Sequence, residues 1–230
     1  KFVPRPYVDR LEDKLEMPCL NLGVMSAGLD AFASDLGVLS MAARAEAVIV
    51  QAMGVHNLSN RFYTVHPRRN DRFLRASDQM RKLFRGVDFT EFHFTNHLLR
   101  HLARYQPDGF ILLMQELQQA WVARMRLLAD RVAKPMVLLW FADHGPDEKR
   151  GFAHAASAPF GVTQDMIDAL EGDVARTVIC RASPAALARG YEGMVFADQE
   201  ALAAMQLLGP AVHQEAADAL EPVLRRLLKR

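Results

Sequence analysis

Short apolar runs rich in Val, Ile and Leu recur along the chain: "CLNLG" (19–23), "AVIVQAM" (47–53), "PMVLLWFA" (135–142) and "TVICRA" (177–182). None alternates with polar residues, so each predicts a strand buried on both faces, as in a parallel sheet. Between them, "GLDAFASDLGVLSMAARA" (28–45) and "GFILLMQELQQAWVARMRLLADRV" (109–132) keep apolar residues at three-and-four spacing and predict helices. The last segment, "GPAVHQEAADALEPVLRRLLKR", has Pro210 where a first helical turn tolerates it, while Pro222 is expected to kink or divide that helix. Strands alternating with helices predict an α/β fold: a three-layer, doubly wound parallel sheet with right-handed crossovers, in one domain over 1–230. At least four parallel strands are expected, with the ends of 19–23, 47–53 and 135–141 on one edge.

Three stretches depart from this alternation. "PYVDRLEDKLE" (6–16) is an amphipathic helix ahead of the first strand. In a doubly wound fold a strand feeds such a helix, so a strand and its loop are expected before Lys1. Region 58–108 is dense in Arg, His and Phe, shows no strand pattern, and predicts a basic helical insertion. "ADHGPDEKRGFAHAASAPFG" (142–161) predicts a long loop.

Composition narrows the classes. With 230 residues, 50% of them hydrophobic, the chain can bury a full core. A formal net charge of +1 excludes global polyelectrolyte behaviour, so nucleic acid is not an expected partner. No apolar stretch approaches the ~18 residues of a membrane span, so no membrane partner is expected. Cys19 and Cys180 stand far apart without a CxxC or Cys-His pairing, which fits a reduced, cytoplasmic protein with structural thiols. Neither a cofactor nor a metal is expected.

Ligands of open parallel sheets bind beyond the carboxyl ends of the strands. Three such ends carry polar, glycine-containing turns: "NLGVMSAG" (21–28), "MGVHNLSN" (53–60) and "FADHGP" (141–146). They would bring Ser26, Gly54, His56, Asn57, Asp143 and His144 to one edge. Asn57 is expected to point into a cleft shared with Asp143 or His144. From Arg61 to Arg85 there are eight Lys or Arg against Asp71 and Asp78. Guanidinium forks match carboxylate, sulfate or phosphate, so Arg61, Arg68 and Arg69 are candidate rim residues for an acidic substrate; a solvated helical face is the alternative. His93, His97 and His101 follow at i, i+4 and i+8, one face of a helix, but three ligands from two turns of straight helix do not converge on one ion. The helix over 109–132, with Met114, Leu117, Trp121, Met125 and Leu128, reads as core or as a homodimer contact.

Two of these turns carry a resemblance. "NLGVMSAG" resembles the second block of SGNH/GDSL-type hydrolases, whose glycine N–H helps form an oxyanion hole. "MGVHN" resembles their third block, Gly-x-Asn-Asp: Gly54 matches the glycine, His56 stands at the Asn, and Asn57 replaces the Asp. The resemblance implies Gly23, Gly28 and Asn57 as oxyanion donors. The family's Gly-Asp-Ser-like nucleophile turn would lie just before Lys1, with Ser26 as the fallback nucleophile within the chain. Its Asp-x-x-His is not found; "YEGMVFADQEAL" has no His, and His213 comes 15 positions after Asp198. His144, beside Asp143, and His213 are therefore the candidate bases. The wider run "MGVHNLSNRFYTVHPRRNDRFLRAS…VDFTEFHFTNHLLRHL", with "LLWFADH", resembles an uncharacterised family of alphaproteobacterial proteins. The implied activity is hydrolysis or transfer of an ester-type group on a small or glycan-linked substrate, anionic substrates included. The alternatives are a binding module that kept the fold without the triad, and an anion-dependent transferase of sulfotransferase type.

Overall fold

A computed structural model describes residues 1–148 and 159–228. Three strands, β1 (Val48–Gln51), β4 (Met136–Ala142) and β5 (Arg176–Arg181), form a parallel sheet in the order β1-β4-β5. Val50 faces Leu138 across one pair, and Leu139 faces Val178 across the other. All seven residues of β4 are buried, as the unbroken run "MVLLWFA" requires of a central strand. The strand ends share one edge, but the described sheet has three parallel strands rather than four. Residues 19–23 form no strand and do not join it. Leu20 is 67% exposed and Val24 58%, so the apolar composition that predicted a buried strand is not matched by neighbours that would bury it.

Successive β4 side chains point to opposite faces. Met136, Leu138, Trp140 and Ala142 enter one apolar cluster, and Val137, Leu139 and Phe141 enter another. The first cluster contains residues of α2 (Leu29–Ala33), α3 (Leu36–Ala42), α5 (Thr95–Tyr105), α6 (Pro107–Val132) and α7 (Gln164–Asp168). The second contains α1 (Tyr7–Leu15), α8 (Pro184–Ala188) and α10 (Pro210–Leu227). A short helix α9 (Ala201–Ala204) precedes α10. The expected helix over 28–45 is two helices, because the Asp35 carboxylate accepts from Gly37 and Val38 N–H and starts a new one. Pro222 does not divide α10, which runs as one helix through it. On α6, Leu117, Trp121, Met125 and Leu128 are buried in the chain's own core, where the indole N–H of Trp121 donates to the Met53 carbonyl at 2.8 Å.

Region 58–108 is not wholly helical. It holds an antiparallel pair, β2 (Tyr63–Val65) and β3 (Phe73–Ala76), followed by α4 (Asp78–Leu83). Residues 93–95 extend the pair, with Phe73 N–H donating to His93 O and Thr95 N–H donating to Asp71 O, both at 3.0 Å. Half of the expected loop at 142–161, residues 149–158, lies outside the described residues.

The amphipathic opening is no free arm. Leu11 is fully buried, and Tyr7 packs against Phe141 of the sheet and stacks on His213 of α10. Lys14 joins Asp218 and Glu221 at 2.9 Å each. Tyr7 N–H donates to His213 Nδ1 at 3.2 Å, which fixes that imidazole as the neutral acceptor. Burial first, then nearby positive charge including Arg10, lowers the His213 pKa from 6.5 to about 4.

The turns ahead of α2 and between β2 and β3 are joined by Asn70, which has no exposed surface. Its Oδ1 accepts from Gly28 N–H at 2.8 Å and Ala31 N–H at 3.1 Å. Its Nδ2 donates to His66 O at 2.9 Å and Pro67 O at 3.2 Å. An Asn side chain offers two donors and two acceptor sites, and all are used. Asp30 repeats the connection further along α2, accepting from Ser59 N–H at 2.7 Å and pairing with Arg124 of α6 at 2.7 Å.

Two outcomes follow. Asn70→Ala leaves the buried Gly28 N–H and two partly exposed carbonyls without their partner, so it should cost about 1–3 kcal/mol in denaturant unfolding; a cost below about 0.5 kcal/mol would show that the amide is not a structural tie. The second concerns acid. Above pH 6.5 His213 is neutral folded or unfolded; between 6.5 and about 4 the unfolded chain binds the proton and the folded chain does not. Its contribution is therefore complete above 6.5 and is lost as pH falls, at about 1.4 kcal/mol per pH unit across that window. His213→Gln keeps an acceptor for Tyr7 N–H without titrating, and should flatten the decline in unfolding free energy; an unchanged slope would assign the acid sensitivity elsewhere.

Candidate functional site

The turn leaving β1 is shaped around an imidazole. A side chain at Gly54 would meet the His56 ring at 2.7 Å, so only glycine leaves the ring its place. His56 lies edge-on to Phe160 at 5.3 Å, its carbonyl accepts from Tyr63 O–H at 2.7 Å, and its Nδ1 is enclosed without a partner among the described residues. Burial lowers its pKa to about 4, so it is neutral at neutral pH. His56 is a buried ring beneath the edge, and the next residue carries the polar function.

Asn57 is buried, and its neighbours fix the orientation of its amide. Nδ2 donates to Ser26 O at 3.2 Å, and Oδ1 accepts from Thr95 O–H at 2.8 Å. A carbonyl can only accept, so the NH₂ must face Ser26, and its second hydrogen is left over. The approach is close: a Cβ on Gly28 would fall 1.6 Å from the Asn57 carbonyl oxygen, which admits only glycine there. Ser26 stands third in a turn closed by Ala27 N–H donating to Val24 O at 3.3 Å. Its φ is +59°, a left-handed conformation that costs a residue with a Cβ about 1–2 kcal/mol.

Ser26 and Asn57 line a cavity of about 360 Å³ together with Asp71, Phe94, Thr95, Asn96, His97 and Arg100. Its floor is the start of α5. No side chain caps that helix, and among the described residues the Asn96 and His97 N–H groups have no partner. Unbonded first-turn amides and the helix dipole favour negative charge at this spot. Arg100, one turn on, makes no ion pair among the described residues, nor does Asp71. Phe94 is 41% exposed, and the Arg72 guanidinium lies 4.2 Å over its ring. Thus the cavity combines a hydroxyl, an amide, an imidazole, opposite charges and an aromatic face.

The remaining sequence candidates sit elsewhere. Asp143 and His144, at the end of β4, bond each other (Nδ1 to Oδ1, 2.7 Å), with His144 buried edge-on to Trp140; neither is among the cavity's lining residues. His213 belongs to the second apolar cluster's surroundings, between Tyr7 and Phe141. Gly23 N–H donates to Asn21 Oδ1 at 2.9 Å and Gly28 N–H donates to Asn70, so both amides are already engaged. Arg61 pairs with Glu116 at 2.6 Å. Arg68 and Arg69 use their backbone N–H groups on His66 Nδ1, each at 3.2 Å, and leave their side chains in solvent. His93 precedes α5, so the three-histidine helical face does not exist; His97 and His101 pack on Phe92 at 5.0 and 5.1 Å. Among the described residues no group of three or more His, Cys, Asp or Glu is placed to hold a metal ion, and no helix is long and apolar enough to cross a membrane.

Sequence reasoning missed Asp71, Thr95, Asn96 and Arg100 as cavity residues. The available signal was "HFTNHLLR", where an apolar-periodic helix begins at Thr95 behind Phe94, a residue that cannot cap it. No curated protein and no solved structure matches the chain. A family model, domain of unknown function DUF6473, matches residues 1–228, and the chain belongs to that family.

Proposed function

We propose that this cavity is the active site of an ester-group hydrolase or transferase acting on a small, anionic or glycan-linked substrate. The observation that carries the reading is Ser26, held at positive φ on the wall of a cavity that also presents the spare N–H of Asn57 and the unbonded amides of α5. Strained residues at positive φ persist where surrounding structure over-determines them, and they cluster at functional sites.

In this reaction the Ser26 hydroxyl oxygen attacks the ester carbonyl carbon, and its proton passes to the His97 imidazole. The carbonyl oxygen becomes an oxyanion held by Asn57 Nδ2 and the α5 N–H groups. Such donors are worth about 3 kcal/mol each to a developing oxyanion. Collapse breaks the carbon–oxygen bond to the alcohol, which leaves with the proton from His97. Water then releases the acid in hydrolysis, or a second alcohol takes the acyl group in transfer. Arg100 holds a negative charge elsewhere on the substrate.

Helices on both faces of the sheet support a doubly wound reading of the fold: α1 and α10 share one face and α5 to α7 the other. The prior engagement of the Gly23 and Gly28 N–H groups favours a second reading, in which the same cavity binds its ligand without turnover.

Ser26→Gly separates these readings. Glycine relieves the positive φ, so unfolding free energy should hold or rise by up to about 1 kcal/mol. Turnover of small chromogenic carboxylic esters should fall at least about 100-fold. Wild-type protein without ester turnover, or a Ser26→Gly protein that retains it, would remove Ser26 as the nucleophile.

A further inference from the structure

Resting on the reading of this cavity as a substrate site, we propose that its Phe94 side is a sugar-ring subsite selecting a polyhydroxylated carboxylate of the uronic acid class. Three features choose among ligands. The Asp71 carboxylate lines the cavity with no ion pair among the described residues. A ligand that fits must therefore bring O–H or N–H donors for this acceptor.

Arg100 asks for the opposite. Its guanidinium lines the cavity without pairing with Asp71, though both face the same space. It requires an anion, and a bidentate carboxylate matches its fork. A bare anion would meet Asp71 with nothing to donate, whereas a hydroxylated one satisfies both charges. Phe94 settles the ring. It is an exposed aromatic in a polar cavity, held in place by the Arg72 guanidinium 4.2 Å over it. Its exposed surface gives the apolar C–H face of a pyranose a partner, while the hydroxyls at the ring's edge reach Asp71. At about 360 Å³ the space lies at the small end of ligand pockets, which suits one ring rather than a chain.

The test is calorimetric titration of the full chain with D-glucuronate, D-glucose, acetate and glycine as separate probes. Glucuronate should bind, with glucose, acetate and glycine each at least about 10-fold weaker. Phe94→Ala and Asp71→Ala, checked for unchanged melting, should each weaken glucuronate about 5-fold or more. Equal binding of glucose removes the acid requirement, equal binding of acetate reduces the site to a charge, and tighter glycine marks a zwitterion site; each overturns the proposal. Wild-type affinity in both variants overturns it too. Glucuronate binding by a protein that turns over no ester leaves the subsite standing and removes only the reaction; ester turnover without glucuronate binding does the reverse.

Discussion

The side chain of Asn70 is buried where a loop ahead of α2 meets the turn between β2 and β3, and its four hydrogen bonds leave no alternative arrangement for either. The loop at 24–28 has no strand or helix of its own to hold it. Asn70 takes the Gly28 N–H, Asn57 takes the Ser26 carbonyl, and the absent side chain at Gly28 lets the two backbones touch. Each tie is modest, about 1 kcal/mol net for a hydrogen bond, but breaking any one leaves buried groups bare. That asymmetry is what can keep Ser26 at a strained φ. The sheet supplies the rigid base: β1 delivers Asn57, and α6 clamps the first turn of α2 through Arg124 and Asp30.

The second constraint is electrostatic. Helix α5 starts without a cap because the residue at its head is Phe94, and its first free amides open on the cavity rather than on a side chain. The aromatic at the cap position thereby serves twice, leaving the amides free and lining the cavity itself. Arg100 adds a full positive charge and Asp71 a negative one. Both line the same half-open space, which therefore makes opposite demands of a ligand.

Much of the sheet was legible in the sequence because β4 is apolar at every position, a pattern that only a doubly covered strand sustains. The same logic failed at 19–23, where the run is apolar but its neighbours do not bury it; periodicity reports what a segment tolerates, and pairing is decided elsewhere. β2 and β3 were missed because "YTV" and "FLRA" are short, carry the exposed Leu74 and Arg75, and flank a turn crowded with arginines. The division of α2 from α3 had a visible sign in Asp35, a capping residue inside an otherwise continuous helical pattern. At the site, Ser26 and Asn57 were legible as polar turns after apolar runs, although the third such turn, with Asp143 and His144, does not line the cavity. Asp71 was not, because it reaches the cavity through the turn between β2 and β3, a pair the pattern did not predict, and Arg100 was not, because it stands on α5, the helix that follows the residues extending that pair. Asn70 was hidden among the basic residues around it.

The central claim is that Asn70 and Asn57 hold the Ser26 loop as rigidly as the core. Native-state amide hydrogen exchange at Gly28 and Ala31, the two N–H groups on Asn70 Oδ1, reads this directly. The account predicts protection within about tenfold of the β4 amides, despite the loop's exposed neighbours, and its loss in Asn70→Ala while β4 stays protected. Exchange at these two amides as fast as at the exposed Val24 and Met25 would contradict it.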